Sequence, residues 1–280
     1  MMEIFYRPLS LAAACGLALL AVLAAFPAKA AFSGWATSEG GRMRIVALPP
    51  DAEGQIRAGL QIEPKPGWIT YWREPGDSGI PPQIAALPGS SVRLDSVSYP
   101  VPKHIDAGSA NDFGYDGPVT LPLRFTATGG ADIRIDAQAF IGVCKNICIP
   151  FQATFSLPLT DKDKGQPHPQ ESAILDAAEA SLPEAPGRDF AVSAFSLTPD
   201  LDRLRLHLAL PEDARNPEII VTGPSGYVFT RQENVKVNAT GLSTDIVIRQ
   251  LPRNYTPKGK QWRVLVKAGP RAMETGLAFD

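Results

Sequence analysis

Two cysteines separated by three residues, Cys144 and Cys148, are the side chains of this sequence best suited to chemistry. A thiol pair can be oxidised to a disulfide, exchange that disulfide with another protein, or bind a soft metal ion. On a straight strand, residues four apart lie roughly 13 Å from each other, whereas a disulfide needs Cα atoms within about 7 Å. The intervening residues must therefore form a turn if the two sulfurs are to meet.

A disulfide between these cysteines would contribute little to stability. It would close a loop of about five residues, which the chain-entropy model values at roughly 2 kcal/mol, whereas a loop of about 100 residues gives nearly 5 kcal/mol. A bond that stabilises so little is easier to explain as one that opens and closes by thiol exchange.

The pair lies at the tip of a predicted β-hairpin. Apolar and mostly polar residues alternate on both sides of it, and this period of two is typical of strands with one buried face. The apolar positions are Ile133, Ile135, Ala137, Ala139, Ile141 and Val143 before the turn, and Phe151, Ala153, Phe155, Leu157 and Leu159 after it. A rigid sheet is therefore expected to present the cysteines.

The remaining sequence predicts an all-β fold with two immunoglobulin-like β-sandwich domains, because short alternating runs are separated by frequent Gly and Pro turns. We expect the cysteine-bearing domain over residues 31–160 and the second domain over 188–280. Residues 161–187 form a linker with one short Ala-rich helix, predicted from Gln170 to Leu182. Pro122 interrupts one alternating run and predicts an edge strand or a bulge. The second domain shows no cysteine and no acid/base cluster, so support or partner recognition is its expected role.

Residues 1–30 have the pattern of a cleaved signal peptide. Arg7 precedes an apolar run from Leu9 to Phe26, which ends in Ala28-Lys29-Ala30, and a small-residue site of this kind favours cleavage. The alternative is an uncleaved anchor, since the run reaches the 18 residues needed to span a membrane. Cleavage would remove Cys15 and leave the pair in an exported chain, where cysteines are by default oxidised.

Composition excludes several function classes. With 27 basic and 29 acidic residues, the net charge is −2, which gives no reason to expect a nucleic acid or an anionic membrane surface as partner. No phosphate loop or nucleophile elbow is present, so no cofactor is expected. The three histidines are scattered, and a copper site formed by His104 with the two cysteines is kept as an alternative.

Two further motifs precede the hairpin. One is an aromatic strand that runs into a Pro-Gly-Asp-Ser-Gly turn at residues 75–79, in which Trp72 is expected to be a core residue. The other is Asn-Asp-Phe-Gly-Tyr-Asp-Gly at residues 111–117. Together with Val-Cys-x-x-x-Cys-Ile-Pro, in this order, they resemble the N-terminal periplasmic domain of the thiol:disulfide interchange protein DsbD. The resemblance covers Trp35 to Leu159 and is strongest to the ScsB-like branch, whose exported region has two β-sandwich domains.

The resemblance implies a periplasmic protein-disulfide reductase whose redox pair is Cys144 and Cys148, with Cys148 as the attacking sulfur. The family takes electrons from a membrane-embedded thiol-disulfide transporter and passes them to periplasmic thioredoxin-like proteins. Family members commonly space the pair more widely and continue into a membrane domain, whereas this sequence stops at Asp280. The donor is therefore expected on a separate polypeptide or stays unassigned.

The resemblance also implies a cap that shields the sulfurs until a partner displaces it, with Phe113 as the covering side chain. The cap loop consists of Asp112, Phe113, Gly114 and Tyr115. Two alternatives to redox transfer stay open. One is a non-catalytic binding or chaperone-like β module with a structural disulfide, because exported cysteines are oxidised by default. The other is copper handling.

Overall fold

A computed structural model describes residues 1–2, 32–106, 111–130, 132–159, 168–212, 214, 216–223, 226–238, 241–249 and 251–279. Almost all of the predicted signal peptide lies outside the described residues. So does the 160–167 segment with the first predicted domain boundary, and the domain limits therefore stay a prediction. No helix in the described ranges is long and apolar enough to span a membrane.

The chain is almost entirely β-structure. The strands up to the hairpin are β1 (Ala36–Thr37), β2 (Gly41–Ala47), β3 (Gln55–Pro64), β4 (Ile69–Gly76), β5 (Gln83–Ala86), β6 (Val92–Val97), β7 (Lys103–Asp106), β8 (Asn111–Tyr115), β9 (Val119–Ala127), β10 (Ile133–Cys144) and β11 (Cys148–Leu159). The helix α1 (Pro169–Ala180) follows. The remaining strands are β12 (Ala191–Leu197), β13 (Arg203–Ala209), β14 (Glu218–Thr222), β15 (Val228–Phe229), β16 (Gln232–Asn238), β17 (Gly241–Val247), β18 (Gln261–Ala268) and β19 (Arg271–Ala278).

The strands form two immunoglobulin-like sandwiches, which confirms the predicted fold class. In the first, a five-stranded sheet of order β1-β2-β3-β9-β6 faces a sheet of order β11-β10-β4-β8-β7, to which β5 adds by pairing with β10. The second consists of two four-stranded sheets, β12-β13-β17-β16 and β15-β14-β18-β19. Their separate cores are centred on Trp72 and Phe125 and on Phe190 and Trp262. Apolar side chains on one face of each sheet fill these cores because strand side chains alternate between the two faces.

The two sandwiches touch through the sheet that contains β14 and β18. Ile220 and Leu265 of these strands are buried with the core of the first sandwich instead of the second. Polar contacts follow the apolar ones: Arg73 on β4 pairs with Glu274 on β19. The second sandwich therefore packs against β4, the aromatic strand itself, which also pairs with β10 of the hairpin.

The predicted helix is present and ends two residues earlier than expected, at Ala180. Leu175 is buried beneath it, over Gly59 on β3, where an added Cβ would lie 3.0 Å from the Leu175 Cδ2. The Arg57 guanidinium bonds the carboxylates of both Asp176 and Glu179. These contacts fix the linker helix on the outer face of the first sandwich.

The edge-strand prediction for Pro122 is wrong. Its strand, β9, lies between β3 and β6, and the irregular residue of this pair is on β6, between Leu94 and Ser96. The Pro122 carbonyl accepts the N–H of Ser98, so its ring nitrogen also faces the β6 side, since both groups of a paired residue point to one neighbour. Regular pairing with β6 ends at Leu123, and the missing N–H therefore breaks no bond to β3.

Candidate active site

The cysteine pair closes the end of a long regular hairpin. Strands β10 and β11 pair residue by residue from Ile133 and Leu159 to Cys144 and Cys148. The two cysteines form a disulfide with an S–S distance of 2.05 Å and a Cα–Cα distance of 4.1 Å. The intervening turn is closed by the Lys145 N–H, which donates to the Ile147 carbonyl at 3.1 Å. The chain folds back within three residues, as joining the sulfurs requires.

The two sulfur-bearing residues differ in access. Cys144 is 4% exposed, because β10 continues into the sheet beside β4. Cys148 is exposed at the first position of β11. A protein thiolate that approaches from solvent can therefore reach Cys148 and is kept from Cys144.

Tyr71 places a hydroxyl group beside the accessible sulfur. It lies on β4, and its oxygen is 3.4 Å from the Cys148 Sγ. The ring is almost fully buried in a slot between two glycines. An added Cβ at Gly79 would lie 2.5 Å from the ring Cδ1, and one at Gly142 would lie 3.3 Å from Cδ2. Gly79 is therefore needed for the ring to lie here, whereas the closest clash of a Cβ at Gly142 would be with the Ile80 Cβ, at 2.7 Å.

Asp112 holds the other side of the Tyr71 hydroxyl. Its side chain is buried at 2% exposure and accepts two hydrogen bonds from Ser78, one from the N–H at 3.2 Å and one from the hydroxyl at 2.9 Å. Burial raises the pKa of Tyr71 to about 12, and the charge and hydrogen bond of Asp112 add to the shift. The phenol therefore stays protonated near neutral pH and can donate a hydrogen bond.

The predicted cap is not a loop. Residues 111–115 form β8, which pairs with β4 and β7. Phe113 is completely buried, with its ring stacked on His104 at 5.2 Å and edge-on to Trp72 at 6.5 Å. The core position predicted for Trp72 is confirmed at 1% exposure. The shielding role stays a prediction, and residues 107–110, which connect β7 to β8, lie outside the described residues.

The other two cap residues fix β8 to its neighbours. An added Cβ at Gly114 would lie 2.2 Å from the Thr70 carbonyl oxygen on β4, so only glycine permits this approach. The Tyr115 hydroxyl donates to the Pro100 carbonyl at 2.8 Å. Both residues fix the position of β8, the strand that carries Asp112, through contacts inside the first sandwich.

Sequence reasoning missed Tyr71 and Ser78 as site residues. Both lie in the aromatic strand and its turn, where the sequence predicts core and turn residues only. The available signal was the pair Ser78-Gly79 in a long turn. A glycine there leaves room for a neighbouring ring, and the serine hydroxyl beside it can bond a buried polar group. Nothing in the local pattern distinguishes Tyr71 from the core residue Trp72.

No metal site is visible in the part of the chain that the structure describes. Within it, no three His, Cys, Asp or Glu side chains are grouped closely enough to hold an ion. His104, the proposed copper ligand, has its ring against Phe113. The copper alternative gains no support from this arrangement.

Comparison with known proteins agrees with the geometry. A family model described as "Thiol:disulfide interchange protein DsbD, N-terminal" matches residues 43–160, a range that includes Tyr71, Ser78, Asp112 and both cysteines. Residues 43–160 therefore resemble a DsbD N-terminal domain. The matched range includes the hairpin, β4 and β8, and the match supports a thiol:disulfide interchange domain in this part of the chain.

Solved structures extend the likeness beyond the DsbD N-terminal domain. The N-terminal periplasmic domain of ScsB from Proteus mirabilis superposes with a TM-score of 0.71 at 21% identity, covering 89% of this chain and 99% of that one. The second sandwich therefore belongs to the shared fold. A Pseudomonas aeruginosa CupB2 chaperone (TM-score 0.20, 11% identity, 84% and 100% covered) and a marsupial T cell receptor (0.21, 10%, 86% and 98%) superpose too poorly to carry an argument. No curated protein matches.

Proposed function

We propose that this protein is a periplasmic protein-disulfide reductase that transfers electrons through the Cys144–Cys148 pair. The observation that carries the proposal is the asymmetric disulfide, in which exposed Cys148 lies against the Tyr71 hydroxyl while Cys144 is buried. A structural bridge needs neither an accessible sulfur nor a hydrogen-bond donor beside it. A disulfide that exchanges needs both, since one sulfur must be attacked and its thiolate must be stabilised.

Reduction of the pair starts when a donor thiolate attacks Cys148. The Cys144–Cys148 bond breaks, a mixed disulfide forms between the donor and Cys148, and Cys144 leaves as a thiolate that takes up the proton lost by the donor thiol. The donor's second thiolate then attacks the mixed disulfide and releases Cys148. Two electrons and two protons pass from the donor dithiol to this protein.

The Tyr71 hydroxyl acts when Cys148 is released. It is protonated at neutral pH, because burial and Asp112 raise its pKa, and it can donate a hydrogen bond to the new thiolate. Once the thiol re-forms, the S–H can donate to the phenol oxygen while the phenol O–H donates to Asp112. Asp112 keeps both bonds from Ser78 throughout, so the phenol is oriented in each state.

Delivery of electrons is the reverse sequence. The Cys148 thiolate attacks a disulfide of a thioredoxin-like protein, and Cys144 resolves the mixed disulfide. Because the mixed disulfide forms on Cys148 with either protein, one accessible sulfur serves donor and acceptor in turn. We infer a membrane-embedded thiol-disulfide transporter as donor and the periplasm as location, supported by the DsbD N-terminal match and by the periplasmic origin of the ScsB relative. The signal peptide of residues 1–30 would direct export.

Single-cysteine variants test this assignment. With Cys144→Ser, an oxidised thioredoxin-like protein should be trapped as a mixed disulfide on Cys148, which non-reducing electrophoresis and mass spectrometry detect. With Cys148→Ser, the buried Cys144 should trap little or nothing. Equal trapping by both variants, or by neither, contradicts the mechanism.

The reduction potential of the wild-type pair separates exchange from a structural role. Equilibration with glutathione buffers should place it above about −300 mV, because structural disulfides in exported proteins typically lie below that value. A potential below this limit would favour the binding or chaperone-like module with a structural bridge.

A further inference from the structure

The turn between the cysteines exposes an aliphatic side chain. Ile147 is 69% exposed, and of the described residues in the first sandwich, 32–159, it is the only large hydrophobic side chain in the exposed class. Lys145 and Asn146 beside it are also exposed. The other large apolar side chains described in this sandwich are buried or half-buried, and this exception lies directly before the accessible sulfur.

Neither turn geometry nor stability explains isoleucine at this position. Gly, Asn, Asp and Ser suit tight turns, whereas a β-branched residue has restricted rotamers and prefers strands. With most of its surface in water, Ile147 gains little of the free energy that burial provides. The side chain is therefore of more use to a bound partner than to the folded monomer.

We propose that Ile147 is the anchor by which a thioredoxin-like exchange partner docks, entering an apolar recess beside the partner's reactive cysteine. The inference rests on the proposed function. In the mixed disulfide, the partner sulfur lies about 2 Å from the Cys148 Sγ, and the Ile147 and Cys148 Cα atoms are about 3.8 Å apart. The partner surface around its cysteine must therefore cover Ile147.

The chemistry of the turn defines the recess. A charged or strongly hydrated partner surface would lose water over Ile147 without compensation, whereas an apolar recess gains from the contact. The Lys145 Cε and Nζ lie near Gly67, each 3.6 Å from where a Cβ would be, and this exposed ammonium is two residues before the isoleucine in the same turn. A partner with an apolar recess and no cation at its rim fits this tip.

The test compares a protein reductant with a small one. Oxidised wild-type protein and Ile147→Ser are each reduced by a reduced bacterial thioredoxin and, separately, by dithiothreitol, and the second-order rate constants are measured by quenched thiol labelling. We expect Ile147→Ser to react about tenfold more slowly with thioredoxin, equal to about 1.4 kcal/mol, and within twofold of wild type with dithiothreitol.

Two control variants isolate the side chain. Val237→Ser removes an aliphatic group that is 77% exposed on β16 of the second sandwich and should leave both rates unchanged. Ile147→Leu keeps an aliphatic group at the tip and should keep the thioredoxin rate within twofold of wild type. Because Ile147 packs against little, its variants should unfold at the wild-type temperature.

The remaining outcomes separate the anchor from the function. If Ile147→Ser and wild type react equally fast with thioredoxin, the anchor is refuted while disulfide exchange stands. If Ile147→Ser slows both reductants equally, the side chain acts on the disulfide itself, and the docking role is again refuted. If thioredoxin fails to reduce wild type although dithiothreitol succeeds, the proposed exchange with thioredoxin-like proteins falls, and the anchor falls with it.

Discussion

Replacing Tyr71 with phenylalanine should make the Cys148 thiolate harder to form. In the structure the hydroxyl oxygen lies 3.4 Å from the Cys148 Sγ, and the absence of a side chain at Gly79 leaves space for the ring. Phenylalanine fills the same slot without the hydroxyl. The substitution therefore removes one hydrogen bond and leaves the packing of the ring intact.

The size of the effect follows from the two bonds that the hydroxyl can make. A hydrogen bond to a charged group contributes about 1.5–3 kcal/mol, compared with about 1 kcal/mol or less for a neutral one, and S–H is a weak donor. The thiolate thus loses roughly 1–2 kcal/mol more than the thiol does, and about 1.4 kcal/mol corresponds to a tenfold change in population. Asp112 also loses one of its donors, which we expect to cost about 1–3 kcal/mol of unfolding free energy.

The assay uses Cys144→Ser, so that Cys148 is the single reactive thiol of the pair. Its alkylation rate by iodoacetamide is followed from pH 5 to 10, with and without Tyr71→Phe. The profile should move about one unit to higher pH, which gives about tenfold slower alkylation near pH 7. Tyr255→Phe, which loses a hydroxyl that accepts a hydrogen bond from the Trp262 Nε1 in the second sandwich, is the matched control. Coincident profiles, or a shift to lower pH, would refute the role assigned to the phenol.

Three further predictions concern the elements around the site. Gly79→Ala should destabilise the fold by about 1–3 kcal/mol and slow disulfide exchange, because the added Cβ would clash with the Tyr71 ring. Gly117→Ala adds a Cβ with no atom within 4 Å and should change neither the melting temperature nor the reduction rate. Glu274→Gln should lower the free energy of unfolding in urea by about 1–3 kcal/mol, because the Glu274 side chain is 8% exposed and pairs with two arginines. Glu63→Gln, in a more exposed ion pair, should lower it by less than about 1 kcal/mol. Burial raises the pKa of the Tyr115 phenol in the folded state. The tyrosine therefore contributes fully to stability below about pH 10, where the unfolded phenol ionises, and the free energy of unfolding falls above that pH by about 1.4 kcal/mol per pH unit. Tyr115→Phe should reduce this slope in denaturant titrations, and an unchanged slope would contradict the prediction.

The hairpin and the helix could be predicted because their signals are local. Period-two alternation over residues 133–159 marks β10 and β11, and a spacing of four residues requires the cysteines to turn back. The Ala-rich run likewise predicts α1 to within two residues. In each case the residues that decide the conformation are neighbours in the chain.

The segment that carries Asp112 was predicted as a loop, and it is a strand. Its composition of Asn, Asp and Gly is typical of turns, but β4, about 40 residues earlier, pairs with it. Gly114 permits that pairing because no side chain separates the two backbones. The edge-strand prediction for Pro122 fails for a related reason. The strand order places β9 between β3 and β6, and only this order decides which neighbour the missing N–H faces.

By itself, the sequence determined an all-β chain with a cysteine pair at a hairpin tip, because side-chain alternation and turn preference act over a few residues. Only the tertiary structure decided that Tyr71 and Asp112 meet at Cys148, that this cysteine is exposed, and that its partner Cys144 is buried. The physical reason is sheet order: β8, β4 and β10 are adjacent in space although their site residues Asp112, Tyr71 and Cys144 are 32 to 73 positions apart. That adjacency arises from packing of the whole sandwich and leaves no local pattern in the chain.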